Sequence, residues 1–100
     1  MEVFEALADP TRRRIVELLA RRERSAGEVA RQFRVSQPAV SKHLRVLREA
    51  GIVEVRGEAQ RRIYSLEPGA LRKAEEWLAR HRRFWEGRLD RLEEQLRREE

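Results

Sequence analysis

The stretch that decides the fold runs from Arg34 to Ile52 and reads RVSQPAVSKHLRVLREAGI. Val40, Leu44 and Leu47 recur at offsets 0, 4 and 7, a single apolar stripe at helical period, and Gln37, Ser41, Lys42, Arg45 and Arg48 lie off it. Ser36 is placed to cap the helix, Pro38 falls in the first turn where its missing N–H costs little, and Gly51 closes the segment. A short helix with an apolar back and a front of amide, hydroxyl and basic side chains is suited to lying in a groove of DNA.

Toward the N-terminus, Ser25 and Glu28 form a Ser-x-x-Glu capping box, and Val29, Ala30 and Phe33 supply the buried side of a helix ending near Phe33 or Arg34. Two short helices separated by Arg34, Val35 and Ser36 make a helix-turn-helix, predicted over residues 25–50, in which the first helix braces the second across the groove. Asp9 followed by Pro10 is a cap followed by a favoured first helical residue, which predicts another helix from Pro10 to about Arg22. Its apolar face is Ile15, Leu18 and Leu19 with Val16 alongside. The run Arg12-Arg13-Arg14 sits at the helix end least favourable for cations and is read as solvated or ion-paired. Met1 to Leu7 is predicted as a short amphipathic helix with Val3, Phe4 and Leu7 apolar.

After Gly51 the pattern changes from helical to alternating. Val53 and Val55 flank Glu54, the run Arg61 to Leu66 carries Ile63, Tyr64 and Leu66, and Gly57, Glu58, Ala59 and Gln60 between them can turn. This predicts a two-stranded β-hairpin over residues 52–66, with Arg56, Arg61 and Arg62 forming a basic finger, a wing, for phosphates or the adjacent minor groove. Pro68-Gly69 ends the hairpin, and one long helix is predicted over residues 70–97. Its seam, Leu71, Ala74, Leu78, His81, Trp85, Leu89, Leu92 and Leu96, steps by 3 or 4 near the coiled-coil period, and Trp77 and Phe84 widen it. That seam exceeds what a small core needs. Leu78, Trp85, Leu89, Leu92 and Leu96, with Val3, Phe4 and Leu7, are therefore expected to pack on a second copy, making residues 1–8 and 70–97 the dimerisation helices of a homodimer.

The composition agrees with one domain spanning residues 1–100. Charged residues make up 41% of the chain, yet the net charge is only +5 and the apolar residues follow helical periodicity, so folding is expected rather than disorder. Between Arg31 and Arg62 stand eight Lys or Arg against three acids, so that this window holds the whole net excess of +5, as a phosphate-facing surface requires. With no cysteine there is no disulfide framework, thiolate metal site or redox switch. The apolar runs are too short to span a membrane and the N-terminus lacks a secretory pattern, so a cytoplasmic protein with no membrane partner is expected. An enzyme is not: Ser41 and His43 are two apart on a helix and point to different sides, and no Gly-rich phosphate loop is present. The rival reading is a winged helix that docks on protein through its long helix, without specific DNA binding.

The segments Ala6 to Ile15 (ALADPTRRRI), Ser36 to Leu44 (SQPAVSKHL), Leu47 to Val53 (LREAGIV) and Arg61 to Tyr64 (RRIY), in that order, closely resemble the ArsR family of bacterial winged helix-turn-helix repressors. The resemblance covers nearly the whole chain. It implies a mainly α fold, a winged helix-turn-helix with a two-stranded β-hairpin wing and a long C-terminal dimerisation helix. It further implies a dimeric repressor, joined through its first and last helices, on a palindromic double-stranded DNA operator that is often its own promoter. It places Gln37 and Ser41 at base edges and Lys42 and Arg45 at phosphates or guanine, in keeping with the pairing of Gln with adenine and Arg with guanine in the major groove. His43, at the border of the apolar stripe, is read as a packing or phosphate-contacting residue rather than a titrating sensor. A two-fold dimer would present its reading helices about 34 Å apart, matching an inverted repeat with half-sites one turn apart.

Departures concern the signal. Metal-sensing members carry Cys-x-Cys in the helix before the reading helix, where Ser25 and Gly27 stand here. Others place Asp-x-His and a later His on the last helix, where His81 is the sole histidine and Ala79 lies two before it. No metal and no cofactor are therefore expected, and Glu86, Asp90, Glu93 and Glu94 are read as intrahelical partners of arginines. Control then falls to an unidentified small molecule or protein, or to the abundance of the regulator itself.

Overall fold

The computed structural model describes residues 2–99, apart from the side chains of residues 83–85. The expected contribution of Trp85 to a dimer seam, and of Phe84 beside it, thus lies outside the described residues, as does Met1. The described chain runs α1 (Val3–Ala6), α2 (Pro10–Arg21), β1 (Arg24–Ser25), α3 (Ala26–Gln32), α4 (Gln37–Glu49), β2 (Val53–Glu58), β3 (Arg61–Leu66) and α5 (Pro68–Arg98).

Each helix starts on a side chain that satisfies its orphan N–H groups. The Asp9 carboxylate accepts from the Arg12 amide at 2.9 Å, with Pro10 opening α2. Both arms of the Ser25/Glu28 capping box are made on α3, and the Ser36 hydroxyl accepts from the Ala39 amide at 3.3 Å on α4. Helix α4 ends in a Schellman motif: the Gly51 amide donates to the Arg48 carbonyl and the Ile52 amide to the Leu47 carbonyl, both at 2.9 Å. That motif needs a left-handed residue, and Gly51 supplies it at φ +78°. It also turns Ile52, wholly buried, back under the helix it ends.

The predicted stripe is the floor of the molecule. Val40, Leu44 and Leu47 are fully buried against Ile15 and Leu19 of α2, Val29 of α3, Ile52, and Val53 and Tyr64 of the sheet. At about 25 cal/mol per Å² of apolar surface removed from water, this cluster is the main stabilising contribution, and it fixes the outward face of α4 by occupying the inward one.

Four expectations change. First, α1 is a single turn, Val3–Ala6, begun by the Glu2 side chain, which accepts from the Phe4 amide. Second, Arg12 is not simply solvated: its Nε donates to the Ala6 carbonyl at 2.7 Å and a terminal nitrogen reaches the Glu5 carbonyl at 3.4 Å, so it closes the end of α1. Its neighbour Arg14 lies over the Phe33 ring at 5.0 Å. Third, the hairpin turn is only Ala59-Gln60, because Gly57 and Glu58 pair with Arg62 and Arg61 within the ladder. Ala59 there adopts φ +55°, a left-handed conformation that a side chain disfavours. Fourth, the hairpin belongs to a three-stranded antiparallel sheet of order β1-β3-β2, with Arg24 opposite Tyr64 and Ser25 opposite Ile63. A two-residue strand shows no alternation, and β1 owes its conformation to pairing with β3.

Helix α5 begins at Pro68, two residues earlier than expected, with the Glu67 carboxylate accepting from the Gly69 amide at 2.8 Å. Its first turns lie over α1, where the Phe4 and Trp77 rings sit 5.2 Å apart and Trp77 stacks on His81 at 4.1 Å. Leu71 and Ala74 are half-buried, whereas Leu78, Leu89, Leu92 and Leu96 are exposed. Near its end two of the four expected acids pair within the helix, Glu93 with Arg97 at 3.1 Å and Glu94 with Arg98 at 2.9 Å. No helix among the described residues is long and apolar enough to cross a membrane.

Candidate nucleic-acid interface

Because Val40, Leu44 and Leu47 face inward, the edge of α4 away from them is left to polar and basic side chains. Gln37, Ser41, Arg45 and Arg48 follow one another at steps of 4, 4 and 3 along one edge of the helix. Strand β3 rises beside that edge, and the start of α3 closes the end. Together Gln37, Ser41, Arg45 and Arg48 of α4, Ser25, Ala26 and Gly27, and Gln60, Arg61, Arg62 and Tyr64 line a concave surface enclosing about 500 Å³. Four arginines, Arg45, Arg48, Arg61 and Arg62, contribute to that lining, with the Arg61 guanidinium on Glu28. Gln37 adds an amide and Ser41 a hydroxyl to the same lining, a combination that offers phosphate binding together with donor/acceptor readout.

The acids near this surface are already engaged. Glu28 accepts from the Ser25 amide at 3.3 Å and the Ser25 hydroxyl at 3.1 Å, pairs with Arg22 at 3.4 Å, and is also gripped by Arg61. The Ser25 backbone hydrogen bond is the largest influence holding the Glu28 carboxyl below its ordinary pKa; desolvation opposes it, and the Ser25 hydroxyl, Arg61 and Arg22 assist. Arg56 grips Glu23 through both terminal nitrogens and reaches Glu58 at 3.3 Å. The bond from Arg56 is likewise the main cause of a lowered Glu23 pKa, and it raises that of Arg56 in return.

Of the predicted DNA-facing residues, Gln37, Ser41, Arg45, Arg61 and Arg62 share the concavity. Lys42 is exposed on α4 but does not line it. His43 is half-buried and close enough to Asp9 at the head of α2 to help lower the Asp9 pKa, after the backbone hydrogen bond and the charge of Arg12, so it faces the helix core side. Arg56 lines a separate depression with Arg48, Val53, Glu54, Val55 and Ser65. The lining also includes residues outside the predicted set, Ser25, Ala26 and Gly27 at the start of α3, Tyr64 of β3, Arg48 and Gln60, with the acid Glu28 beside them. Arg48 had a signal, its position three after Arg45; Gln60 had none, since its placement depends on where the turn falls.

At the positions where metal-sensing relatives carry cysteines, Ser25 caps α3, and a Cβ on Gly27 would stand 3.9 Å from the Ser25 hydroxyl and 4.0 Å from the Gln37 amide oxygen. Among the described residues no group of three or more His, Cys, Asp or Glu is gathered to hold a metal ion.

Residues 9–55, the segment from the α2 cap to the first residues of the wing, match the bacterial regulatory protein family arsR. The transcriptional repressor SdpR of Bacillus subtilis is 37% identical over 76 residues, which are 76% of this chain and 84% of that one. The HTH-type transcriptional regulator Rv2034 of Mycobacterium tuberculosis is 52% identical over 68% of this chain and 64% of its own length. A solved structure described as a possible transcriptional regulator for arsenical resistance superposes with a TM-score of 0.79 at 41% identity, over 92% of this chain and 93% of that chain. The chain belongs to the arsR family of bacterial regulatory proteins and is a winged helix-turn-helix, DNA-binding transcriptional regulator rather than an enzyme.

Proposed function

We propose that the chain is a homodimeric repressor that reads an inverted-repeat operator with α4 in the major groove and the β2–β3 hairpin over the flanking backbone. The observation that carries this is the concavity itself, which joins Gln37, Ser41 and Arg45 of the helix to Arg61 and Arg62 of the wing. Gln37 and Ser41 address base edges, Arg45 addresses guanine or phosphate, and Lys42, exposed beside them, addresses the backbone. Arg56, held by Glu23, braces the sheet, and His43 packs toward α2.

The dimer follows from what α5 leaves uncovered. Leu89, Leu92 and Leu96 are 62%, 53% and 55% exposed, on a molecule 62 Å long and 28 Å and 23 Å across. With Leu78, Trp77 and Phe4 they form an apolar edge that a second copy covers in the same way, with residues 1–8 and 70–97 as the dimerising part and residues 25–66 as the DNA-binding part. Such a regulator acts where chromosomal DNA is, in the cytoplasm, and its effector is a small molecule or protein yet to be identified. Selection of bound duplexes from a random pool tests the reading: it should enrich an inverted repeat with half-sites about one helical turn apart. Enrichment of single half-sites, or of nothing, refutes it.

A further inference from the structure

We propose that Glu28 is a specificity-determining residue of the DNA face: its carboxylate holds Arg61 as an internal stand-in for a DNA phosphate, releasing the arginine only to a duplex that fits the rest of the face. The proposal rests on the reading of the concave surface as the DNA-contacting one.

Glu28 is an anion set in place before DNA arrives. The Ser25 amide and hydroxyl position it through the capping box, Arg61 also reaches the Ser25 hydroxyl at 3.4 Å, and the Glu28 side chain is only 21% exposed. Arg61 is 59% exposed at the rim of the concavity, within reach of an incoming strand while still attached to Glu28. A carboxylate and a phosphate compete for the same guanidinium fork. On poorly matched DNA the exchange gains little, because one charge-assisted bond replaces another and the carboxylate, left with Arg22 at 3.4 Å as its only ion-pair partner among the described residues, faces phosphates. Where α4 is seated and Gln37, Ser41 and Arg45 find partners, the gain at the bases carries the exchange. Arg62, the next residue, has no ion pair among the described residues and is available to any phosphate. Two adjacent wing arginines thus differ, one unconditional and one conditional, and the difference raises discrimination at the expense of general affinity.

Glu28→Gln tests this cleanly, because Gln serves equally at the third position of a capping box while the charge is removed. Affinity for a random duplex and for a selected operator is measured by fluorescence anisotropy between 50 and 200 mM NaCl, with melting curves confirming the fold. In Glu28→Gln the random duplex should bind more tightly, and the gain over the parent should shrink about 3.5-fold across that salt range, since one added phosphate contact steepens the log–log slope by about 0.9. Operator affinity should change less, so the operator-to-random ratio falls. Arg61→Ala, which leaves the capping box intact, should alter random-duplex binding little in the parent and abolish the gain in the double variant. If Glu28→Gln changes neither affinity nor slope while Arg61→Ala weakens random-duplex binding, Arg61 reaches phosphate with Glu28 in place and the proposal is overturned. Arg45→Ala is the separate control: no loss on either duplex would overturn the reading of the face itself, and the proposal with it.

Discussion

Replacing Arg12 by alanine isolates a contact between two helices that no charge rule anticipates. The Nε of Arg12 donates to the Ala6 carbonyl at 2.7 Å, and that carbonyl belongs to a residue with no exposure in the last turn of α1. A hydrogen bond from a charged donor contributes about 1.5–3 kcal/mol. The second bond, at 3.4 Å to the Glu5 carbonyl, is too long to add much. Arg12 is only half-buried, so water partly replaces it, and the lower end applies: a cost of about 1.5 kcal/mol. For a domain of this size that lowers Tm by roughly 6–12 °C. The cap of α2 survives the change, because the Asp9 carboxylate is bound to the Arg12 amide rather than to its side chain. Urea denaturation at fixed protein concentration and pH 7 should therefore show a lower midpoint with an unchanged slope. Arg13→Ala, one position along and exposed, serves as the control and should fall within about 0.5 kcal/mol of the parent. Arg12→Lys should recover only part of the loss, since an ammonium cannot reproduce a guanidinium aimed at two carbonyls. Since α1 carries Phe4 against Trp77, self-association should weaken along with stability. Equal, negligible costs for Arg12→Ala and Arg13→Ala would refute the closing role of Arg12.

Three further outcomes follow from the same geometry. The Asp9 carboxyl is held below its ordinary pKa, chiefly by the Arg12 amide, so its stabilising effect is present above the unfolded value and lost as pH falls through the folded one. Asp9→Asn, which keeps a capping oxygen, should be less stable than the parent at pH 7, with the gap closing in acid titrations of the melting temperature as the pH falls from the unfolded carboxyl value through the lower folded one. Glu54 behaves oppositely: the facing Glu67 carboxylate raises its pKa, so the arrangement is favourable below that value and deteriorates as pH rises through it. Glu54→Gln should raise Tm at pH 7 and have no effect once Glu54 is protonated; a destabilised variant at pH 7 would contradict this. Ala59→Gly should stabilise by about 0.5–1 kcal/mol in chemical denaturation, because glycine takes the observed φ of +55° without penalty.

What was legible in the chain was local. The stripe of Val40, Leu44 and Leu47, the caps at Asp9, Ser25 and Ser36, and the stop at Gly51 each express an interaction between residues a few positions apart, and each is present in the structure. The third strand was not legible, because Arg24 and Ser25 take their extended conformation from Tyr64 and Ile63 across the ladder. Nor was the true hairpin turn: Gly57 offered itself as a turn residue, but the register of Val53 with Leu66 carries the ladder past it and leaves Ala59 with the left-handed conformation.

The site shows the same division, and it alters the meaning of the charge count. The window from Arg31 to Arg62 held the whole net excess of +5, which reads as a uniformly basic surface. Glu23 and Glu28 lie outside that window, and it is they that hold Arg56 and Arg61. Charge summed along the chain therefore overstates the cations ready to meet phosphate, because folding brings acids from 33 positions away onto two of the three wing arginines. Among the described residues six cations of that window, Arg31, Arg34, Lys42, Arg45, Arg48 and Arg62, have no ion pair, and of these only Arg45, Arg48 and Arg62 line the concavity. A concavity with few unpaired cations and an amide and a hydroxyl in its lining depends more on base contacts for its binding free energy, and so discriminates better between sequences, than one whose arginines all stand ready for phosphate.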